Sequence, residues 1–418
     1  MENQIKQNYE NFLLKEKFNE SQINYKKINL ENFFKKGFPN KRQEDWKFSD
    51  LNQIIETNIK NLNYISDIDN KDNIEQNPIK DFDHNKIFIV NGQIVKSDLT
   101  HEDENKIMIS EDQSIEEDDQ KNSLLNLNNA LVVKNYKIYV SDNYLAKKPL
   151  IIYHNVLENL KSSLVSLRLD IDLGKNSSLK VINIFNERSN NNLINIRQKI
   201  NISENSILEK FILDQNENNN IRYAHTDIIL EKNSHLELFI LSKGSKFFKN
   251  DIICSLNDNH GSISLNGIIN LNDNKHHEIK TVINHNEENC KSYQLIKTVL
   301  NDESKSVYQG KIYVNSKAQK TDGYQLSRAL LLNQETEFNA KPELEIYADD
   351  VKCSHGSTSG NLDENSIFYL MSRGLSLSQS KELLINGFLQ EVAEKISDEK
   401  IKQLVKKIMG IQEWILVK

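Results

Sequence analysis

The chain has 418 residues, long enough for two or three domains or for one elongated repeat fold. A net charge of -7 and a pI near 5.9 exclude a general nucleic-acid binder. Three cysteines (Cys254, Cys290, Cys353), odd in number and far apart, exclude a disulfide framework and fit a reducing cytoplasm; no CxxC pair supplies a self-contained zinc or cluster motif.

The opening MENQIKQNYE has no basic region leading into an apolar run, and no stretch of about 18 apolar residues occurs. The expectation is a cytoplasmic chain with no signal peptide and no membrane partner. Hydrophobic residues make up 38% and mean hydropathy is -0.61, which suits an elongated body with much surface. With 4 Pro and 13 Gly, the turns must be made by other residues, and Asn and Asp are the natural substitutes. An AT-rich genome would also enrich Asn, Lys and Ile.

Residues 1–36 read as helical, with Ile5, Tyr9, Phe12, Leu13, Leu30, Phe33 and Phe34 at three- and four-residue steps. GFPN (37–40) breaks the helix, and KRQEDWKFSDLNQII follows with a Trp and mixed charge. The acidic stretch 99–121 reads as a solvated loop or spacer.

From about 134 to 350 short runs of Ile, Leu and Val alternate with polar residues between Asn, Asp, Ser and Gly. KNSSL, ENSIL, KNSHL and HGSI place an apolar residue at Leu179, Leu208, Leu236 and Ile263, in steps of 29, 28 and 27. A period in the high twenties with a polar turn before each strand predicts a β-helix, with a large antiparallel sandwich as the alternative. After Gly360 the pattern turns helical again. Asp363 is the expected N-cap of a first helix ending near Gly374, a second runs from about 378 to 396, and a third runs from Asp398 to Gly410. These helices could cap the solenoid or offer a docking face. The expected division is a helical N-terminal domain with an acidic loop (1–125), a β-helix core (126–355) and a C-terminal helical domain (356–418).

Chemistry concentrates in EIYADDVKCSHGSTSG (345–360). In an extended strand Cys353 and His355 point to one face. Thiolate and imidazole suit iron, zinc or an iron–sulfur cluster. Two donors do not close a tetrahedral site, so further ligands would come from a distant segment, a second chain or sulfide. A nucleophile–base pair and a packed Cys beside a hydrogen-bonded His stay open on pattern alone, and packing is the more ordinary fate. His277 and His285 share strand parity, and Cys290 follows; they read first as polar outer-face residues and second as metal donors. Asp349 and Asp350 are adjacent and cannot jointly flank one bond. No phosphate-binding loop, GxSxG or HExxH is present.

KPELEIYADDVKCSHGSTSGNLDENSIFYLMSRGLS (341–376) closely resembles the C-terminal signature of the SufD family of the SUF iron–sulfur cluster assembly machinery. GFPNKRQEDWKFSDL (37–51) and 284–325 are similar to that family's N-terminal segment and central strand repeats. The resemblance runs from about 37 to about 395 and is weakest in 52–280. It implies a right-handed parallel β-helix between helical domains, and a scaffold subunit with no catalysis of its own. It implies SufB as a partner through the β-helix, the ATPase SufC on the C-terminal helices, and a homodimer when the chain is isolated. It also implies that His355, with Cys353 as the weaker candidate, faces a transient iron or nascent cluster shared with SufB, and that Phe368, Tyr369 and Arg373 form or support the SufC-docking surface. The rival reading is a cytoplasmic β-helix enzyme using Cys353 or the carboxylates.

Overall fold

The computed structural model describes residues 2–16, 18–59, 63–64, 79–112, 122–158 and 160–411. Its body is built from two ten-stranded sheets whose strands alternate along the chain, so that successive strands belong to opposite sheets and every second strand pairs in parallel. The first sheet ends at Glu337–Ile346 and the second at Lys352–Gly360. This is a parallel β-helix. Its coil is the repeat legible in the sequence: Leu179 pairs with Leu208, Leu208 with Leu236, and Leu236 with Ile263. These side chains stack in an apolar interior with Val181, Ile240, Leu265 and Ile283.

The corners explain the Asn content. Among the described residues twelve other than glycine have positive φ, and nine of them are Asn or Asp. Asn143, Asn176, Asn205 and Asn233 form one such column, with φ of 58°, 54°, 57° and 55°. Each later member donates its side-chain amide to the carbonyl oxygen of the one before, at 2.9, 3.0 and 2.9 Å. Asn both tolerates the left-handed conformation and pairs with its copy one coil away, which Gly cannot do.

The N-terminal stretch forms two helices, α1 (Glu2–Lys15) and α2 (Glu20–Lys36). The interruption is a capping box in which Asn19 and Gln22 satisfy each other's backbone N–H groups. Helix α3 (Leu51–Asn58) and helix α4 (Ser123–Leu131) follow. Lys26 is buried and donates to the Asn129 and Val132 carbonyls at the C-terminus of α4. Trp46 packs against Tyr223 and Phe247, with ring centroids 5.8 and 6.5 Å away, and fixes the RQEDW segment to the outer face of the first sheet. Four further strands escaped the sequence reading, the two-residue Asn63–Tyr64 beside Ser163 and Leu164 among them. Asn85–Val90 pairs in parallel with the solenoid, Gln93–Asp98 returns against it, and Ile107–Asp112 lies inside the stretch expected to be a loop. Residues 113–121 of that stretch lie outside the described residues.

The C-terminal helices are α5 (Glu364–Ser372), α6 (Leu377–Ala393) and α7 (Glu399–Met409). Helices α6 and α7 do not close the solenoid end. They fold back along the outer face of the second sheet, where Leu389, Val392, Ile401 and Val405 pack with Phe211, Phe239 and Val299. Lys297 ties α6 down by donating to the Phe388 carbonyl at 2.6 Å. Both final strands therefore keep one unpaired edge, and the last strand of the first sheet carries Pro342, which has no N–H to offer.

Replacing Asn205 by Ala leaves a Cβ in the left-handed region and breaks the column on both sides, at an expected cost of about 1–3 kcal/mol. Asn205→Gly relieves the backbone and should lose less. Urea unfolding of the two variants checks the order; equal losses would mean that the backbone conformation carries none of the cost.

Candidate functional site

Cys353 and His355 lie on the last strand, Lys352–Gly360, at the open end of the solenoid. Their register partners one coil back are Gly323 and Gln325. Gln325 and its own partner Gln294 are buried in the interior, so the face shared by Cys353 and His355 is the inward one. Strand parity thus brings the two together as the spacing predicts. Their environments differ. Cys353 is half-buried beside Leu344 and Val351, over Ile312 and Val314. A Cβ at Gly323 would meet its Sγ at 3.4 Å, an ordinary contact. Burial pushes its thiol up from the usual value, opposed by a hydrogen bond from the Gly323 backbone. His355 is exposed because no further coil covers it.

Asp349 and Asp350 sit in the bend before this strand, and the Asp350 backbone carbonyl accepts from Lys320 at 2.5 Å. Among the described residues no group of three or more His, Cys, Asp or Glu side chains is placed to hold a metal ion. Cys353 and His355 are two donors on one chain.

The second cluster is not an outer-face feature. His277 and His285 are buried inside the solenoid. The His277 ring nitrogens lie 2.7 Å from the Ser242 hydroxyl and 2.6 Å from the Ser245 carbonyl; His285 Nε2 lies 2.8 Å from the Ser292 hydroxyl. Cys290 is buried, with its sulfur 3.3 Å from the Asp258 carbonyl, and burial pushes its thiol up to about 11. These groups are committed to the interior.

Phe368, Tyr369 and Arg373 are placed very differently. No residue of α5 is buried; Phe368 is 75% and Tyr369 56% exposed. Arg373 stands 5.2 Å from the Tyr369 ring centroid and closes the helix as its C-cap. With Met371 and Leu377 they form an exposed apolar surface.

Other polar features were invisible in the sequence. Arg222, fully buried, pairs with Glu187 and, at 3.0 Å, with Asp214, and its guanidinium lies 3.9 Å from the Phe185 ring centroid. These residues come from different coils and share no spacing motif. A cavity of about 610 Å³ lies between the RQEDW segment and the first sheet, lined by Arg197, His225, Asp227, Asp251 and Lys280. His225 pairs with Asp227 at 3.2 Å and Lys280 with Asp45 at 2.5 Å. It contains neither Cys353 nor His355.

The fold is a parallel β-helix with Cys353 and His355 on one face of its last strand and an exposed aromatic helix following that strand in the chain. Comparison with known proteins gives the family. Residues 156–388 match the family described as SUF system FeS cluster assembly, SufBD core domain, and the chain belongs to it. It is similar to the iron–sulfur cluster assembly protein SufD of Escherichia coli, 28% identical over 383 residues, covering 90% of this chain and 89% of that one. Over shorter segments it is similar to an iron–sulfur cluster assembly SufBD family protein of Synechocystis (43% identical over 103 residues, 25% of this chain and 23% of that one). The chloroplastic protein ABCI7 of Arabidopsis thaliana is 42% identical over 112 residues, 27% of this chain and 24% of that one. The role of the chain is in iron–sulfur cluster assembly. None of the described helices is long and apolar enough to cross a membrane.

Two outcomes are expected. Burial holds the imidazoles of His154, His277 and His285 at about 4 against the usual 6.5, so the unfolded chain takes up protons first as pH falls. Stability should drop between pH 6.5 and 4, by about 1.4 kcal/mol per pH unit for each histidine fully engaged. Urea midpoints at pH 7 and 5 test this, and a flat dependence would contradict it. Secondly, iodoacetamide should label Cys353 in the native chain while Cys254 and Cys290, both fully buried, stay unlabelled until unfolding. Mass spectrometry of the tryptic peptides gives the order.

Proposed function

We propose that the chain is a non-catalytic scaffold subunit that holds an iron–sulfur cluster under construction jointly with a second β-helix subunit, SufB, and carries the ATPase SufC on its C-terminal helices. The observation that supports this reading is the position of the donor pair. Cys353 and His355 share the inward face of the terminal coil, and the imidazole is open to the outside. A tetrahedral iron takes four ligands, and this chain contributes two at the site. The remainder would come from sulfide and from the facing chain, whose terminal strands would lie against the unpaired edges of Glu337–Ile346 and Lys352–Gly360. The exposed Phe368, Tyr369 and Arg373 would form the surface on which SufC docks, and ATP-driven movement of SufC would open the SufB junction. Without SufB, the same edges would favour a homodimer.

Of the two donors His355 is the stronger ligand, because it is exposed and its cargo need not displace packing. Cys353, packed against Leu344 and with its thiol pushed up, is the weaker.

Purified alone, the chain should hold little iron. Co-expressed with SufB and SufC it should yield a complex with the visible absorbance of a cluster, and His355→Ala should remove most of that absorbance while the complex still assembles. Phe368→Ala with Tyr369→Ala should release SufC and leave the SufB pairing intact. A stoichiometric cluster on the isolated chain, unchanged by His355→Ala, would overturn the reading.

A further inference from the structure

His355 is the last member of an interior column. One coil below it stands Gln325, and one coil below that Gln294. In the coils before it the same column is apolar, with Leu238 and Leu265. The Gln294 carbonyl oxygen accepts from the Thr281 hydroxyl at 2.7 Å and from the Tyr308 hydroxyl at 3.1 Å. Gln325 is fully buried, and its Nε2 donates to the backbone carbonyls of Gly310 and Glu343 at 3.2 and 3.3 Å. Those two acceptors fix which end of the amide is nitrogen, since an oxygen there would face two carbonyls. The remaining Oε1 is buried and has no hydrogen-bond partner. Space is kept for it: a Cβ at Gly310 would lie 2.3 Å from this oxygen and 2.5 Å from the Tyr308 hydroxyl.

This oxygen is one of several such atoms among the described residues, and it belongs to the coil directly beneath the last strand. The nearest in-register polar side chain above it is His355. In-register residues on parallel strands are roughly 4.8 Å apart, within reach of a side-chain hydrogen bond. This solenoid uses such bonds repeatedly in its Asn column. The same two strands already make one, where Ser327 donates to Ser357 at 2.9 Å.

We propose that Gln325 is a positioning residue for His355. Its carboxamide oxygen accepts the hydrogen of one ring nitrogen, which fixes the tautomer and turns the unprotonated nitrogen out of the solenoid end. A metal-binding imidazole works this way: the nitrogen that donates to a second group leaves the other as the ligand, correctly aimed. A neutral amide does so without placing a buried negative charge under the site. The inference rests on the reading of His355 as a cargo ligand, and it is tested separately from it.

The full chain, labelled with ¹⁵N-histidine, is observed by NMR at pH 8, and the His355 ring signals are identified by their loss in His355→Gln. The expected parent spectrum shows one tautomer for His355, with its two nitrogens widely separated. Gln325→Met, which keeps the bulk and removes the acceptor, should bring the two shifts together. In the co-expressed complex Gln325→Met should lower cluster content by about tenfold. Averaged tautomers in the parent, or ring shifts unchanged in Gln325→Met, overturn the inference whatever the cluster content. If instead the tautomer responds as expected but His355→Ala leaves cluster content intact, the cargo reading falls and the Gln325–His355 bond stands.

Discussion

The structure depends on one constraint: every residue of the body lies directly over the residue one coil earlier, roughly 4.8 Å away. Such stacking rewards side chains that bond to their own copies and penalises like charges. The Asn column at the corner is the first solution, a continuous chain of amide bonds at backbone positions that most residues resist. On the outer face of the first sheet the second solution appears. Lys249 is stacked on Glu278 at 2.7 Å, and Lys305 on Glu337 at 2.8 Å, so neighbouring coils carry opposite signs. In the interior the third is plain apolar stacking, interrupted where Arg222 draws in Glu187 and Asp214.

This constraint decides what could be read from sequence. The coil length was legible because Leu179, Leu208, Leu236 and Ile263 repeat the same apolar position after the same polar turn. The Asn content looked ambiguous against genome composition, and the φ angles resolve it in favour of turns. The inside and outside of polar positions were not legible. Alternation tells which residues share a face, and an apolar residue tells which face is inward. His277, His285 and Gln325 are polar and lie inward, where period-two reasoning defaults to solvent. The course of the C-terminal helices was equally hidden. Their apolar stripes predict a packed face, but only the apolar outer face of the second sheet, around Phe211 and Phe239, which these helices bury, selects the side of the solenoid over its end.

The site follows from that choice. Because α6 and α7 run alongside, the terminal coil has no cover among the described residues, and the residue that would be core in any earlier coil is accessible in the last. Cys353 and His355 occupy equivalent inward positions, yet the thiol is half-buried against Leu344 while the imidazole is exposed. A side chain at a core position inherits the rigidity of the core: its backbone is set by register, and the buried amides beneath it are held by the two sheets.

An uncovered solenoid end is also a growth point. The opposite edges of the two sheets are occupied by Gln93–Asp98 and Ile107–Asp112, both antiparallel to their neighbours, so a second copy could add end to end at the last coil and the pair would then be closed. Pro342 on one terminal strand removes a donor from that edge without forbidding a single, specific pairing.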